Sequence, residues 1–135
     1  MVLSDSSRVL AAILILSLVT VELGGVFVLL IVGGRRVATP LQLTFFRAGH
    51  AHAGVLLILG LVAQVLVDAT TLTGVWEWVA RALIPIAALL LPGGFFLSVA
   101  RSGATSANRL KILIPTGAVV LAIGLVTLGV GLLAG

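Results

Sequence analysis

The stretch VLAAILILSLVTVELGGVFVLLIV, residues 9–32, decides the class of fold, and Glu22 is the only ionisable side chain within it. A transmembrane helix needs about 20 mainly apolar residues to cross a hydrocarbon core of about 30 Å. The stretch lacks a small-x-small cleavage site and runs past the length of a signal-peptide apolar region. We therefore predict that it is a retained transmembrane helix.

Three further apolar stretches follow, and they predict helices over residues 40–67, 75–100 and 109–133. Thr39-Pro40 supplies an N-cap and a first-turn proline for the second of them. Of the 135 residues 61% are hydrophobic and 9% are charged, whereas soluble domains carry about 25% charged residues. No linker or low-complexity tail divides the chain. The sequence predicts an all-α integral membrane protein, with residues 1–135 forming a single four-helix transmembrane domain.

The composition also excludes several classes of function. The chain has no cysteine, which excludes disulfides, thiol catalysis and cysteine-ligated metals. The net charge of +4 is spread over short loops, so we expect the lipid bilayer and no nucleic acid as a partner. The sequence offers no oriented nucleophile–base pair, no phosphate loop and no paired carboxylates. This argues against an enzyme that acts on its own.

The distribution of basic residues predicts the orientation. Both termini and the second loop carry few cations, Arg8 and Arg81. The first and third loops and their flanks carry Arg35, Arg36, Arg47, Arg101, Arg109 and Lys111. Because Lys and Arg collect in cytoplasmic loops, we expect loops 33–39 and 101–108 to be cytoplasmic and both termini to be non-cytoplasmic. The expected location is the plasma (inner) membrane, with multiple passes.

Three ionisable residues lie deep in the predicted helices: Glu22, His50 and His52. Such a group costs at least about 2.5 kcal/mol at the centre of a membrane helix, so each needs a partner or a function. His50 and His52 lie about 200° apart round the helix, which makes chelation of one metal by both difficult. A structural role, with each side chain hydrogen-bonded between helices, is the alternative.

The two histidines have different neighbours on the predicted second helix. His50 shares a polar stripe with Arg47, Gln64 and Asp68, whereas His52 lies beside small residues such as Gly49. Glu22, His50, Gln64 and Asp68 together suggest a proton path across the membrane. The sequence also places Arg81 four residues after Glu77, where it is expected to pair with Glu77 or to snorkel to the interface.

The run Arg47-Ala-Gly-His50-Ala-His52-Ala-Gly resembles the His-x-His helix of the haem-copper oxidase and nitric oxide reductase superfamily. The resemblance covers about fifteen of the 135 residues. It implies haem b as a cofactor, His50 or His52 as the ligand to iron, and Arg47 as a partner for a haem propionate. Glu22 would be an acid beside that site. Bis-histidine ligation would require two chains, so the resemblance implies a homo-oligomer or a five-coordinate iron.

We therefore expect binding of haem b or a metal through His50 and His52, for a redox or ligand-binding role. Proton-coupled transport or proton relay through Glu22 and His50 is a second interpretation, and a structural accessory subunit of a membrane complex is a third. Gly117, Gly124 and Gly131 recur on one face of the fourth helix. Such a stripe is typical of close packing with another helix, in the same chain or in a second copy.

Overall fold

The computed structural model describes residues 3–134 and is built from four long helices in chain order. The elements are α1 Asp5–Val32, α2 Pro40–Val67, α3 Gly74–Ser98, a 3-10 turn Arg109–Ile112, and α4 Leu113–Leu133. Four helical segments are long and apolar enough to cross a membrane, the last with the 3-10 turn included. The prediction of an all-α chain with four membrane-spanning lengths of helix is confirmed at that level.

Local capping explains where the first two helices begin. α1 starts at Asp5 rather than at Val9, because the Ser4 side chain accepts a hydrogen bond from the Ser7 backbone N–H. A serine cap followed by an acid in the first turn favours a helix start. Thr39 and Gln42 form a reciprocal capping box before Pro40. The polar N-terminal residues therefore extend the first helix beyond its apolar stretch.

Successive helices are antiparallel, so different loops and termini collect at the two ends of the bundle. Residues 3–8, 68–77 and 131–134 lie at one end, called here the termini end. The loops between α1 and α2 and between α3 and α4 meet at the other, the loop end. There the Thr39 hydroxyl donates to the Ala104 carbonyl at 2.6 Å. Gln42 Nε2 donates to the carbonyls of Val99 and Arg101, both at 3.0 Å.

The helices are packed unequally. α3 packs against both α2 and α4, whereas α1 packs chiefly against α2. The core in the middle of the bundle is formed by Leu14, Leu56, Leu57, Ala88 and Leu91. Only Ser7, Leu14 and Ile31 of α1 are buried. Helix α1 therefore packs through one face, against α2, and a groove remains between α1 and α3.

Three glycines of α4, Gly117, Gly124 and Gly131, lie against α3 or the loop that precedes it. A Cβ at Gly117 would lie 2.9 Å from the Leu91 backbone nitrogen. At Gly124 it would lie 3.1 Å from Ile84 Cγ1, and at Gly131 2.5 Å from Leu72 Cδ1. The glycine stripe thus faces residues of the same chain, where it allows two helix backbones to approach closely.

Candidate functional site

The groove between α1 and α3, called here the α1–α3 groove, has α2 as its floor. Its cavity measures about 380 Å³ and is lined from α1 by Ser17, Thr20, Val21 and Gly24, from α2 by His50, Ala53 and Leu57, and from α3 by Ala88, Leu89, Pro92 and Phe96. A second cavity of about 190 Å³ shares Ser17, Leu57 and Leu89 with it and continues toward the termini end. The groove opens toward the outside of the helix bundle. Apart from His50, its side chains are small, hydroxyl-bearing or apolar.

His50 is the only ionisable side chain in the lining of this groove. Its ring lies against the two glycines of α1. A Cβ at Gly24 would be 3.5 Å from Nδ1, and a Cβ at Gly25 would be 3.2 Å from Cε1 and 3.4 Å from Nε2. Among residues 3–134, the ring of His52 takes part in a hydrogen bond. The ring of His50 takes part in none within that range. The glycines therefore make room for an imidazole whose nitrogens have no hydrogen-bonding partner in the described part of the chain.

Glu22 does not line the groove that holds His50, although it is expected as an acid beside the histidine site. Its side chain is exposed and is not part of the groove lining. The reason is the pitch of the helix. Gly24 lines the groove, and a residue two positions away lies about 200° round α1. Glu22 is therefore directed away from the groove.

His52 lies on the opposite side of α2 from His50 and is exposed. Its ring stands 5.1 Å from the Phe95 ring, centroid to centroid. Its Nδ1 lies 2.7 Å from the Ala48 carbonyl oxygen. Because a carbonyl oxygen only accepts hydrogen bonds, this contact needs a proton on Nδ1, and when the ring is neutral Nε2 then has a free lone pair.

The structure does not bring the two histidines together as a metal site. In the part of the chain that the structure describes, no three His, Asp or Glu side chains converge to hold a metal ion. Arg47, the expected propionate partner, is exposed and does not line the groove. A haem in the groove would therefore meet His50 without Arg47, Glu22 or His52.

A second group of polar residues lies at the termini end and is called here the termini-end cluster. It consists of Ser4, Ser7, Gln64, Asp68, Glu77 and Arg81. Arg81 is at its centre, with a side chain only 1% exposed. Nη2 of Arg81 donates to Asp68 Oδ1 at 3.0 Å and to Glu77 Oε1 at 2.7 Å. Nη1 donates to the hydroxyls of Ser4 and Ser7.

The remaining bonds of the termini-end cluster connect three helices. The Ser4 backbone N–H and hydroxyl donate to Asp68 at 2.8 and 3.0 Å. The Ser7 hydroxyl donates to the Gln64 carbonyl at 3.0 Å, and Gln64 Nε2 donates to the Arg81 carbonyl at 2.9 Å. Gln64 Oε1 and Arg81 Nε are buried without a protein partner in the described chain.

The environment of Asp68 changes its acidity. Burial by itself raises the pKa of this carboxyl, but hydrogen bonds from the Ser4 backbone N–H and from Arg81 outweigh that effect. The hydroxyls of Ser7 and Ser4 contribute in the same direction. The pKa of Asp68 is therefore lowered below its ordinary value of 3.8, which keeps it ionised beside Arg81.

The four residues of the expected proton path fall into three places. Glu22 lies on the outer surface, His50 in the α1–α3 groove, and Gln64 with Asp68 in the termini-end cluster. At about 1.5 Å per residue, Gln64 is about 21 Å from His50 along α2. Within the described range 3–134, no hydrogen bond links these three places to one another.

Sequence reasoning missed the burial of Arg81 and the part played by Ser4 and Ser7. The pairing of Arg81 with Glu77 is one of the two expected outcomes, and it is present at 2.7 Å. The side chain does not snorkel, because Asp68 and the two serines surround it. The sequence does hold a signal, since Asp68 and Arg81 lie on either side of one short loop, and Ser4 caps the helix that begins beside it.

Comparison of the chain with models of protein families, with curated proteins and with solved structures yields no match.

Proposed function

We propose that this protein binds a flat lipophilic ligand, haem b, in the α1–α3 groove through His50. The observation that supports this is the position of the imidazole, which lies in the groove without a hydrogen-bonding partner among residues 3–134. An ionisable group at this depth is unfavourable unless something pairs with it. A ligand entering from the bilayer would supply that partner.

The residues around His50 suit such a ligand in size and polarity. Gly24, Ala53 and Ala88 leave space next to the ring, and Leu57 and Phe96 provide apolar walls. The groove contains one imidazole, so His50 would be the single protein ligand to iron. When bound, such a haem would supply ligand binding or electron transfer. The protein's part is to hold the group, to exclude water with the apolar walls and to tune the iron through one histidine.

Haem titration of the detergent-purified protein tests this proposal. Wild-type protein should shift the Soret band of added haemin at one equivalent, and dithionite should shift it again. His50→Ala should remove both shifts. His52→Ala is the matched control on the same helix and should retain them. A wild-type protein that leaves the haemin spectrum unchanged, or a loss in His52→Ala alone, would overturn the proposal.

We also propose the plasma membrane as the location, with loops 33–39 and 101–108 in the cytoplasm and both termini outside. The concentration of basic residues at the loop end supports this orientation. Arg35, Arg36 and Arg101 are exposed there, and the hydrogen bond from Thr39 to Ala104 holds the two loops together. One end of the bundle thus carries most of the positive charge, as expected of a cytoplasmic face.

The lack of cysteine in the chain makes the orientation simple to test. Thr71→Cys places a thiol in the loop at the termini end, and Ser102→Cys places one in the loop at the opposite end. Both positions are exposed. A membrane-impermeant maleimide should label Thr71→Cys in intact cells and Ser102→Cys only after permeabilisation. The reverse pattern would invert the proposed topology.

A further inference from the structure

Two ionisable side chains lie on the outer surface of the helix bundle, and the described residues supply neither with a partner for its chemistry. Glu22 of α1 is exposed, and so is His52 of α2. Glu22 takes part in none of the ion pairs formed within the described range 3–134. His52 uses Nδ1 on its own helix and leaves Nε2 free. Polar groups in hydrocarbon are unfavourable when unpaired, so both positions call for a partner outside the monomer.

The two side chains lie at the same depth. Helices α1 and α2 are antiparallel, and two contacts fix their register. Gly24 lies against His50, and Gly54 lies against Val21. Glu22 falls between Val21 and Gly24 on one helix, and His52 falls between His50 and Gly54 on the other. Both are therefore at one level in the membrane.

The two side chains also flank one surface. Gly24 borders the groove toward α3, and Glu22, about 200° away round α1, faces away from α3. On α2, Gly49 lies against Phe96 of α3, so Ala51, again about 200° away, faces outward on the same side. Glu22 lies next to this surface on the α1 side, and His52 at its opposite edge. We call it the α2 outer face; Ala51, Val55, Ile58 and Val62 form it and are all exposed.

The chemistry of the two groups is complementary. The proton on Nδ1 of His52 is held by the Ala48 carbonyl, which leaves Nε2 as a hydrogen-bond acceptor. A protonated Glu22 carboxyl is a donor, and its O–H can donate to that nitrogen. The pair carries no net charge, whether the proton stays on the carboxyl or moves to the imidazole. Such a pair is suited to the interior of a bilayer.

We propose that this chain forms a parallel twofold dimer through the α2 outer face, with Glu22 of each copy hydrogen-bonded to the partner's His52. Copies with one orientation in the membrane are related by an axis along the membrane normal, and rotation about this axis conserves depth. A twofold axis near Ala51 therefore forms both Glu22–His52 pairs at once. The small side chains of Ala48 and Ala51 allow the two α2 helices to approach closely.

A second copy of this chain fits the surface better than a different partner, because the donor and the acceptor are encoded in the same face at the same depth. The dimer leaves the α1–α3 groove free, since the groove opens on the side toward α3. The proposal is thus independent of haem binding. Failure of the haem titration would not affect it.

Disulfide crosslinking in native membranes tests the interface, because the chain has no cysteine of its own. Ala51→Cys places a thiol near the proposed axis and should give a covalent dimer on mild oxidation. Leu23→Cys is the matched control, since Leu23 follows Glu22 in the sequence and is 66% exposed, but it faces away from α2. Absence of crosslinking in Ala51→Cys, or equal crosslinking of Leu23→Cys, would overturn the dimer proposed here.

Substitutions at the two paired positions test the hydrogen bond itself. Glu22→Leu and His52→Leu should each reduce the fraction of dimer measured by energy transfer between labelled copies in detergent. The exchange variant Glu22→His with His52→Glu should restore it, because the pair is rebuilt with its members interchanged. Circular dichroism verifies that each variant keeps its helical content. Single variants with the wild-type dimer fraction, or an exchange variant no better than the single ones, would exclude the proposed pairing.

Discussion

Arg81 and Asp68 form an ion pair at the termini end, with Nη2 and Oδ1 3.0 Å apart and side chains 1% and 8% exposed. The pair joins α3 to the end of α2. Arg81 also donates to the hydroxyls of Ser4 and Ser7, and the Ser4 backbone N–H donates to Asp68, so α1 is attached to the pair. Because α1 has few buried residues of its own, these bonds contribute strongly to its position. The termini-end cluster therefore holds the start of α1 against α2 and α3.

Replacing Arg81 should destabilise the protein severely. Arg81→Gln leaves Asp68 and Glu77 without their cation, and removing one member of a buried ion pair costs about 3–5 kcal/mol. Thermal unfolding in detergent measures the loss. Arg8→Gln is the control, because Arg8 pairs with Asp5 at 3.0 Å with both side chains largely exposed, and surface pairs contribute little. Equal stability of Arg81→Gln and wild type would show that the termini-end cluster does not hold the fold together.

Asp68 should make stability depend on pH in the acidic range. Its pKa in the folded protein is lowered, so its stabilising effect is complete above the ordinary value of 3.8 and is lost as the pH falls through the folded value. The unfolding temperature of wild type should fall on acidification, and that of Asp68→Asn should fall less. A difference between the two proteins that stays constant from about pH 6 to about pH 3 would contradict this assignment. Asp5→Asn, at an exposed position, should follow the wild-type curve.

Two glycines of α4 should respond oppositely to alanine. A Cβ at Gly117 would meet the Leu91 backbone nitrogen at 2.9 Å, and backbone cannot move aside as a flexible side chain can. Such overpacking costs about 1–3 kcal/mol. A Cβ at Gly129 meets nothing within 4 Å, so Gly129→Ala should raise stability by up to about 1 kcal/mol through helix propensity. Unfolding temperatures of the two variants provide the comparison, and a shift in the same direction for both would refute the packing described for α4.

The number and length of the helices could be predicted because lipid imposes a strong rule. A segment that crosses lipid must be apolar over about 20 positions. Its backbone N–H and C=O groups must form their hydrogen bonds within the segment. Pro40 and the residues up to Val67 therefore identify α2 with the bounds that the structure has. The start of α1 differs, because the cap by Ser4 is a local side-chain bond that hydropathy does not register.

The candidate site was less predictable, because helical position alone does not say which neighbour a side chain meets. The separation of His50 from His52 follows from the pitch of one helix and agrees with the structure. The position of Glu22 relative to His50 depends on how α1 is rotated against α2. Gly24 and Gly25 favour the observed rotation, because they leave space for the His50 ring. The burial of Arg81 depends on three helix ends meeting, which a single sequence shows only indirectly.

Gly25 offers a test that links packing to the proposed haem site. A Cβ there would lie 3.2 Å from His50 Cε1 and 3.4 Å from Nε2, close enough that the ring or α1 must shift by a few tenths of an ångström. Gly25→Ala should therefore weaken haemin binding in the titration while the helical content stays unchanged. Gly54→Ala is the control in the same interface, since its Cβ would meet Val21 at 3.7 Å, an ordinary contact. Equal haemin affinity for Gly25→Ala and Gly54→Ala would mean that the imidazole edge facing α1 takes no part in binding the ligand.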